Sequence, residues 1–207
     1  MKKFALLLIA LFVMAPLSSA TAADYKEGVH YIKLAEPQPT STGDKVEVLE
    51  FFWYGCPHCF RFEPFIERLL KKLPANAEFV RVPAMFRPSW EVHARAYYTA
   101  ELMGELEKVH KPMFNAMHLE KRPLETDEEV MTLFGEMGVD KEKFLKTFRS
   151  FAVETRIRRA KTVLERYGID GVPAVAVNGK YLVTGRTAGG NAQMLKIIEH
   201  LVELESK

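Results

Sequence analysis

Cysteine is nearly absent from this chain: two residues in 207, at positions 56 and 59. So few argue against a disulfide-stapled scaffold. The six histidines supply no second ligand pair at finger-like spacing, which argues against a zinc site. Long apolar runs are missing after the first twenty residues, and a membrane span takes about 20. Repeats and low-complexity stretches are missing as well. A hydrophobic content of 48% is that of a globular core.

Excess charge of one sign is the next absence, and it depends on the N-terminus. Lys2 and Lys3, the apolar stretch Phe4 to Ala15 and the small residues Ala20-Thr21-Ala22 form the pattern of a cleaved export signal over residues 1–22. Its apolar part is short for a membrane span. Without the two lysines, 27 basic residues meet 27 acidic ones, and the expected mature chain is neutral. It offers no broad attraction to nucleic acid or anionic membrane. Export also changes the meaning of the cysteines. A structural disulfide gains most by closing a long loop of the unfolded chain, and a Cys56–Cys59 bond closes almost nothing. The pair therefore reads as redox-active.

What is present reads as one mixed α/β unit with an insertion. The run Val46 to Trp53 is apolar apart from Glu47 and Glu50, as in a central strand buried on both faces. Gly55 breaks it and Cys56-Pro57 opens a helix, with Phe62, Ile66, Leu69 and Leu73 at helical spacing. Stepping back three from Phe62 puts Cys59 on the buried face and leaves Cys56 at an exposed tip. Pro64 lies inside that helix, and Pro74 ends it. Glu78 to Val82 alternates as a second strand. Residues 88–149 turn helical, with Ser89 as one cap, Thr126 and Glu129 as a capping box and Asp140 as another cap. This stretch is too long for a loop and reads as an inserted helical subdomain between residues 23–87 and 150–207. A helix through Val153, Ile157, Ala160 and Leu164 ends at Gly168. Val172 to Val177, the turn Asn178-Gly179 and Tyr181 to Thr184 form a hairpin, and residues 192–205 a last amphipathic helix.

The chemistry centres on Cys56-Pro57-His58-Cys59. With Cys56 as N-cap, Pro57 takes the first helical position, where its missing N–H is no loss. The N–H groups of His58 and Cys59 then point at the Cys56 sulfur, and the positive helix end favours a thiolate. A protonated His58 adds a nearby charge. Each unit of lowered pKa stabilises the thiolate by about 1.4 kcal/mol and makes it a better leaving group. The expected direction is donation of the disulfide. Glu50, inside an apolar strand, is expected to have a raised pKa and to relay a proton for Cys59, unless it reaches solvent at the sheet's end. Val172-Pro173 opens a strand without a ladder donor, leaving an edge for an extended peptide.

The segments VLEFF before CPHC, and GVPA before VNGKY, with the helical block between them, resemble the DsbA family of periplasmic disulfide oxidases over essentially the whole expected mature chain. The resemblance implies a thioredoxin fold with an inserted helical subdomain, in the periplasm. It implies Cys56 as nucleophile, Cys59 as its partner, Glu50 as the buried acid and a cis peptide before Pro173. It further implies a monomer without cofactor or metal, acting on reduced or unfolded exported proteins. Reoxidation would fall to a quinone-linked membrane protein resembling DsbB. One departure is Trp53-Tyr54-Gly55, whose aromatic bulk is expected beside the site, where it alters client or partner preference. The rival readings are a disulfide isomerase or reductase, and a peptide-binding chaperone that needs neither thiol. The isomerases of that compartment carry a dimerisation domain ahead of the redox domain, and only 33 residues separate position 23 from Cys56.

Overall fold

The computed structural model describes residues 24–207; the expected export signal lies outside the described residues. Five strands form one sheet: β1 (Ile32–Lys33), β2 (Val46–Phe52), β3 (Ala77–Pro83), β4 (Ala174–Val177) and β5 (Tyr181–Thr184). Their order is β1-β5-β4-β2-β3, with β2 and β3 parallel and the other pairs antiparallel. Every residue of β2 is buried, as its apolar run requires of a central strand. Alternation splits the strands between two cores. Val48, Val175 and Val177 face one side, while Leu49, Phe51, Ala174 and Ala176 face the other.

The first face is covered by α1 (Pro57–Lys72) and α8 (Asn191–Glu205), which bring Phe62, Ile66, Leu69, Ile197, Ile198 and Leu201 to the valines. The second is covered by α6 (Phe151–Arg166) and a helical block of α2 (Glu91–Met103), α3 (Leu106–His118), α4 (Asp127–Glu136) and α5 (Lys141–Phe148). A short helix, α7 (Gly185–Ala188), joins β5 to α8. This is a thioredoxin fold with an inserted helical subdomain.

Several local signals act as read. Thr126 and Glu129 close a reciprocal capping box, and Asp140 caps α5 through the Lys143 N–H at 2.7 Å. Asn178 and Gly179 both take positive φ in the hairpin turn. Ser89 does not cap. It lies inside a 3₁₀ turn, Pro88–Trp90, and α2 starts behind Trp90 without a side-chain cap, because Pro88 already fixes the entry. The hairpin's first strand is also shorter than expected, starting at Ala174.

Candidate redox site

The site lies where β2 ends and α1 begins. Cys56 is the N-cap of α1 in extended conformation, Pro57 follows in the first turn, and the Cys59 N–H points at the Cys56 sulfur at 3.4 Å. Cys59 is fully buried beneath it, one turn in. Both thiols are free. The expectation of an exposed Cys56 needs correction: it is only 7% exposed. The cover comes from the loop ahead of β4, where the Val172–Pro173 bond is cis and the Val172 carbonyl lies 3.4 Å from the Cys56 sulfur, accepting its S–H. That loop is 116 positions away in sequence, so nothing near Cys56 announced it.

The two thiols are driven apart in acidity. Cys56 is pulled from the ordinary 9.0 down to about 6. The largest cause is the hydrogen bond from the Cys59 thiol; the Cys59 and His58 N–H groups and the His58 charge add to it, against burial. Cys59 is pushed well above 9.0, by burial first and by its neighbour's sulfur second. The helix-mouth donors expected from sequence are there, each a smaller contribution than the partner thiol. Nη2 of Arg61, one turn along α1, lies 3.1 Å from Nδ1 of the exposed His58 ring and donates to it when that ring is neutral.

Glu50 does not reach solvent. It is 0% exposed, and burial raises its pKa from 4.5 to about 7 despite the Arg81 guanidinium 2.8 Å from Oε2. The parallel register sets Arg81 directly opposite Glu50, and the same guanidinium reaches Glu63 of α1 at 3.1 Å. The Glu50 charge opposes ionisation of Cys59. Arg81 and Glu63 were missed in the sequence. A basic residue in an alternating strand beside a buried acid was the signal.

Val172 and Pro173 do not offer a free sheet edge, because β4 pairs with β2 on one side and β5 on the other from Ala174 onward. What stays open is the segment before the strand. Gly171, Val172 and Pro173 line a cavity of about 650 Å³ together with His58, Arg186 and Asn191. Cys56, His58, Val172 and Pro173 thus meet on one face, with Cys59 and Glu50 beneath.

The aromatic link before the motif turns away from that cavity. Tyr54 is buried, its hydroxyl 2.8 Å from Nδ1 of His110, and Trp53 stacks on Trp90 with centroids 3.7 Å apart. The expected bulk at the client face is therefore turned inward, into the helical block. Gly55 is required by the Trp53 ring, which a Cβ would meet at 2.3 Å. Among the described residues no group of three or more His, Cys, Asp or Glu is arranged to hold a metal ion.

The chain as a whole is similar to known proteins. The family model described as a DSBA-like thioredoxin domain matches residues 66–199. The thiol:disulfide interchange protein DsbA of Pseudomonas aeruginosa is 45% identical over 202 residues, covering 97% of this chain and 96% of that one. The protein of the same name from Burkholderia cepacia is 40% identical over 98% of this chain and 97% of that one. Among solved structures, P. aeruginosa DsbA is similar with a TM-score of 0.85 at 45% identity, over 89% of this chain and 96% of that one.

Proposed function

We propose, from the premise that the chain belongs to the DsbA-like thioredoxin-domain family and is a protein thiol:disulfide oxidoreductase, that it works as an oxidase, giving its Cys56–Cys59 disulfide to reduced exported proteins. The observation that carries the direction is the acidity of Cys56. At pH 7 a thiol held at about 6 is roughly 90 times more ionised than one at 9.0. Its intrinsic nucleophilicity falls by about twentyfold at a Brønsted slope near 0.45. Attack by Cys56 therefore gains only about fourfold, whereas its departure as a leaving group is favoured without that offset. The arrangement suits giving a disulfide away.

The steps balance as two exchanges. A client thiolate attacks the Cys56 sulfur, the S–S bond to Cys59 breaks, and Cys59 departs as a thiolate that takes up a proton. A second client thiolate attacks the client sulfur of the mixed disulfide, closes the client's own disulfide and expels Cys56 as thiolate. The client loses two electrons, and the protein holds them as two reduced cysteines. Glu50 supplies the proton to Cys59: burial leaves it protonated in part near pH 7. The cavity beside Val172 and Pro173 receives the client segment as extended chain, while Pro57 and His58 set the helix entry and the local charge.

The same reading places the protein in the periplasm as a monomer, reoxidised by a quinone-linked membrane protein resembling DsbB. It also divides the chain into an export signal (1–22), a redox unit in two parts (23–87 and 150–207) and the helical insertion (88–149). No helix of the described residues is long and apolar enough to cross a membrane.

Oxidised protein mixed with a reduced two-cysteine peptide is expected to convert it to the disulfide within the mixing experiment. Failure with the Cys56–Cys59 bond shown intact removes the oxidase reading. In the same assay Glu50→Gln is expected to slow the reaction about tenfold and to erase a rate inflection near pH 7. An unchanged pH–rate profile takes Glu50 out of the mechanism.

A further inference from the structure

Between the end of β2 and the start of α1 lie four residues, Trp53 to Cys56, and their path decides whether Cys56 meets the helix mouth. Besides its turn bond from the Cys56 N–H to the Trp53 carbonyl at 3.0 Å, the link turns three polar groups of Trp53 and Tyr54 toward the helical block. Each is held by a histidine of the helical block. The Trp53 indole N–H donates to Nδ1 of His93 at 2.8 Å, and Nε2 of that ring lies 2.9 Å from the Leu124 carbonyl. The Tyr54 hydroxyl meets Nδ1 of His110 at 2.8 Å, and the Tyr54 carbonyl lies 2.7 Å from Nε2 of His118. These partners lie 40, 56 and 64 positions along the chain.

The bonding chemistry fixes the proton on two of the rings. An indole N–H can only donate, so Nδ1 of His93 accepts and its Nε2–H faces Leu124. A carbonyl can only accept, so Nε2 of His118 carries its proton. His118 is the last residue of α3, and its ring stacks on Phe60 of α1 at 4.8 Å with planes 13° apart. It therefore grips both sides of the motif, by a hydrogen bond two residues before Cys56 and by a ring contact one residue after Cys59.

We propose that His118 is a positioning residue for the redox pair: by bonding the Tyr54 carbonyl and stacking on Phe60, it holds Cys56 where the helix N–H groups and the Cys59 thiol can meet its sulfur. His93 of α2 and His110 of α3 fasten the same link through the Trp53 indole and the Tyr54 hydroxyl. The helical block then does more than cover the sheet; it sets the oxidising strength of the motif. A looser link lets the Cys56 sulfur leave the N–H of Cys59, which favours the reduced form less and makes the pair a weaker oxidant.

The inference rests on the oxidase reading above. The experiment measures the Cys56–Cys59 equilibrium with glutathione for the parent chain, His118→Leu and His118→Gln. Glutamine carries an amide N–H at the reach of Nε2, and leucine carries none. The leucine variant is expected to be about three- to tenfold less oxidising, which is about 15 to 30 mV for a two-electron couple, with the Cys56 titration moved upward. The glutamine variant is expected to stay close to the parent. Equal constants for all three chains overturn the role of His118, as does an equal loss in both variants. Should the leucine chain fail to fold, nitrogen-15 NMR of the parent decides: His118 is expected to be protonated at Nε2, and a proton on Nδ1 alone overturns the proposal. A parent that proves reducing instead overturns the oxidase reading, and the ordering of the variants still tests His118.

Discussion

Cys56→Ser and Cys59→Ser are both expected to lose peptide oxidation to the uncatalysed background, a drop of roughly four orders of magnitude or more, because neither keeps a disulfide to give. They differ in what Cys59→Ser can still trap from a client disulfide. The difference follows from where the two sulfurs lie. Cys56 sits at the helix mouth, slightly exposed and about 6 in pKa, so it is ionised at neutral pH and within reach of a client. Cys59 is fully enclosed, and burial keeps it protonated. With Cys59 replaced, the Cys56 thiolate can still open a client disulfide and form a mixed one, but no neighbouring thiol can release it. Mass spectrometry under non-reducing conditions is therefore expected to find a covalent client adduct on Cys59→Ser and none on Cys56→Ser. Full biological activity in Cys56→Ser would support thiol-independent peptide binding instead. Adducts on Cys59 in the Cys56 variant would reverse the assigned roles.

Acid is expected to weaken the reduced protein relative to the oxidised one. Cys56 is an acid whose folded pKa, about 6, lies below its ordinary 9.0. A depressed acid contributes stability in full above the unfolded value and loses it as pH falls through the folded value. The window is therefore pH 9 down to about 6, and the contribution is nearly gone at pH 5. Between pH 5 and pH 8 the stability of reduced minus oxidised protein is expected to rise by about 2–3 kcal/mol. The subtraction cancels groups that titrate alike in both forms, and the oxidised protein has no thiolate to lose. Denaturant unfolding of both forms at each pH checks this. A difference that stays flat, or grows toward acid, contradicts the thiolate as its source.

Much of this was legible wherever the cause was local. The apolar run of β2 gave away its place in the middle of the sheet, and a three-residue step from Phe62 buried Cys59 correctly. Capping at Thr126 and Asp140 needed only neighbours within one turn. The failures share a cause in long-range packing. Cys56 is covered by a carbonyl from the loop ahead of β4, and Pro173 stands before an interior strand where a free edge was expected. Arg81 needed the register of β2 against β3 before it could be paired with Glu50. Three histidines in two helices, His93 in α2 and His110 and His118 in α3, carried no spacing that tied them to Trp53 and Tyr54. Strand β1, two residues long, and helix α7, four residues long, are too short for a periodic signal.

The midpoint potential of the Cys56–Cys59 pair as a function of pH tests the thiolate most directly. Each proton taken up per two electrons moves the potential by about 30 mV per pH unit. Reduction is expected to take up two protons below about pH 6 and one above it, so the slope should halve from about 59 to about 30 mV near pH 6. The value at pH 7 should lie well above thioredoxin's, at about −270 mV. An unbroken two-proton line up to about pH 9, with a midpoint near that of thioredoxin, would contradict it.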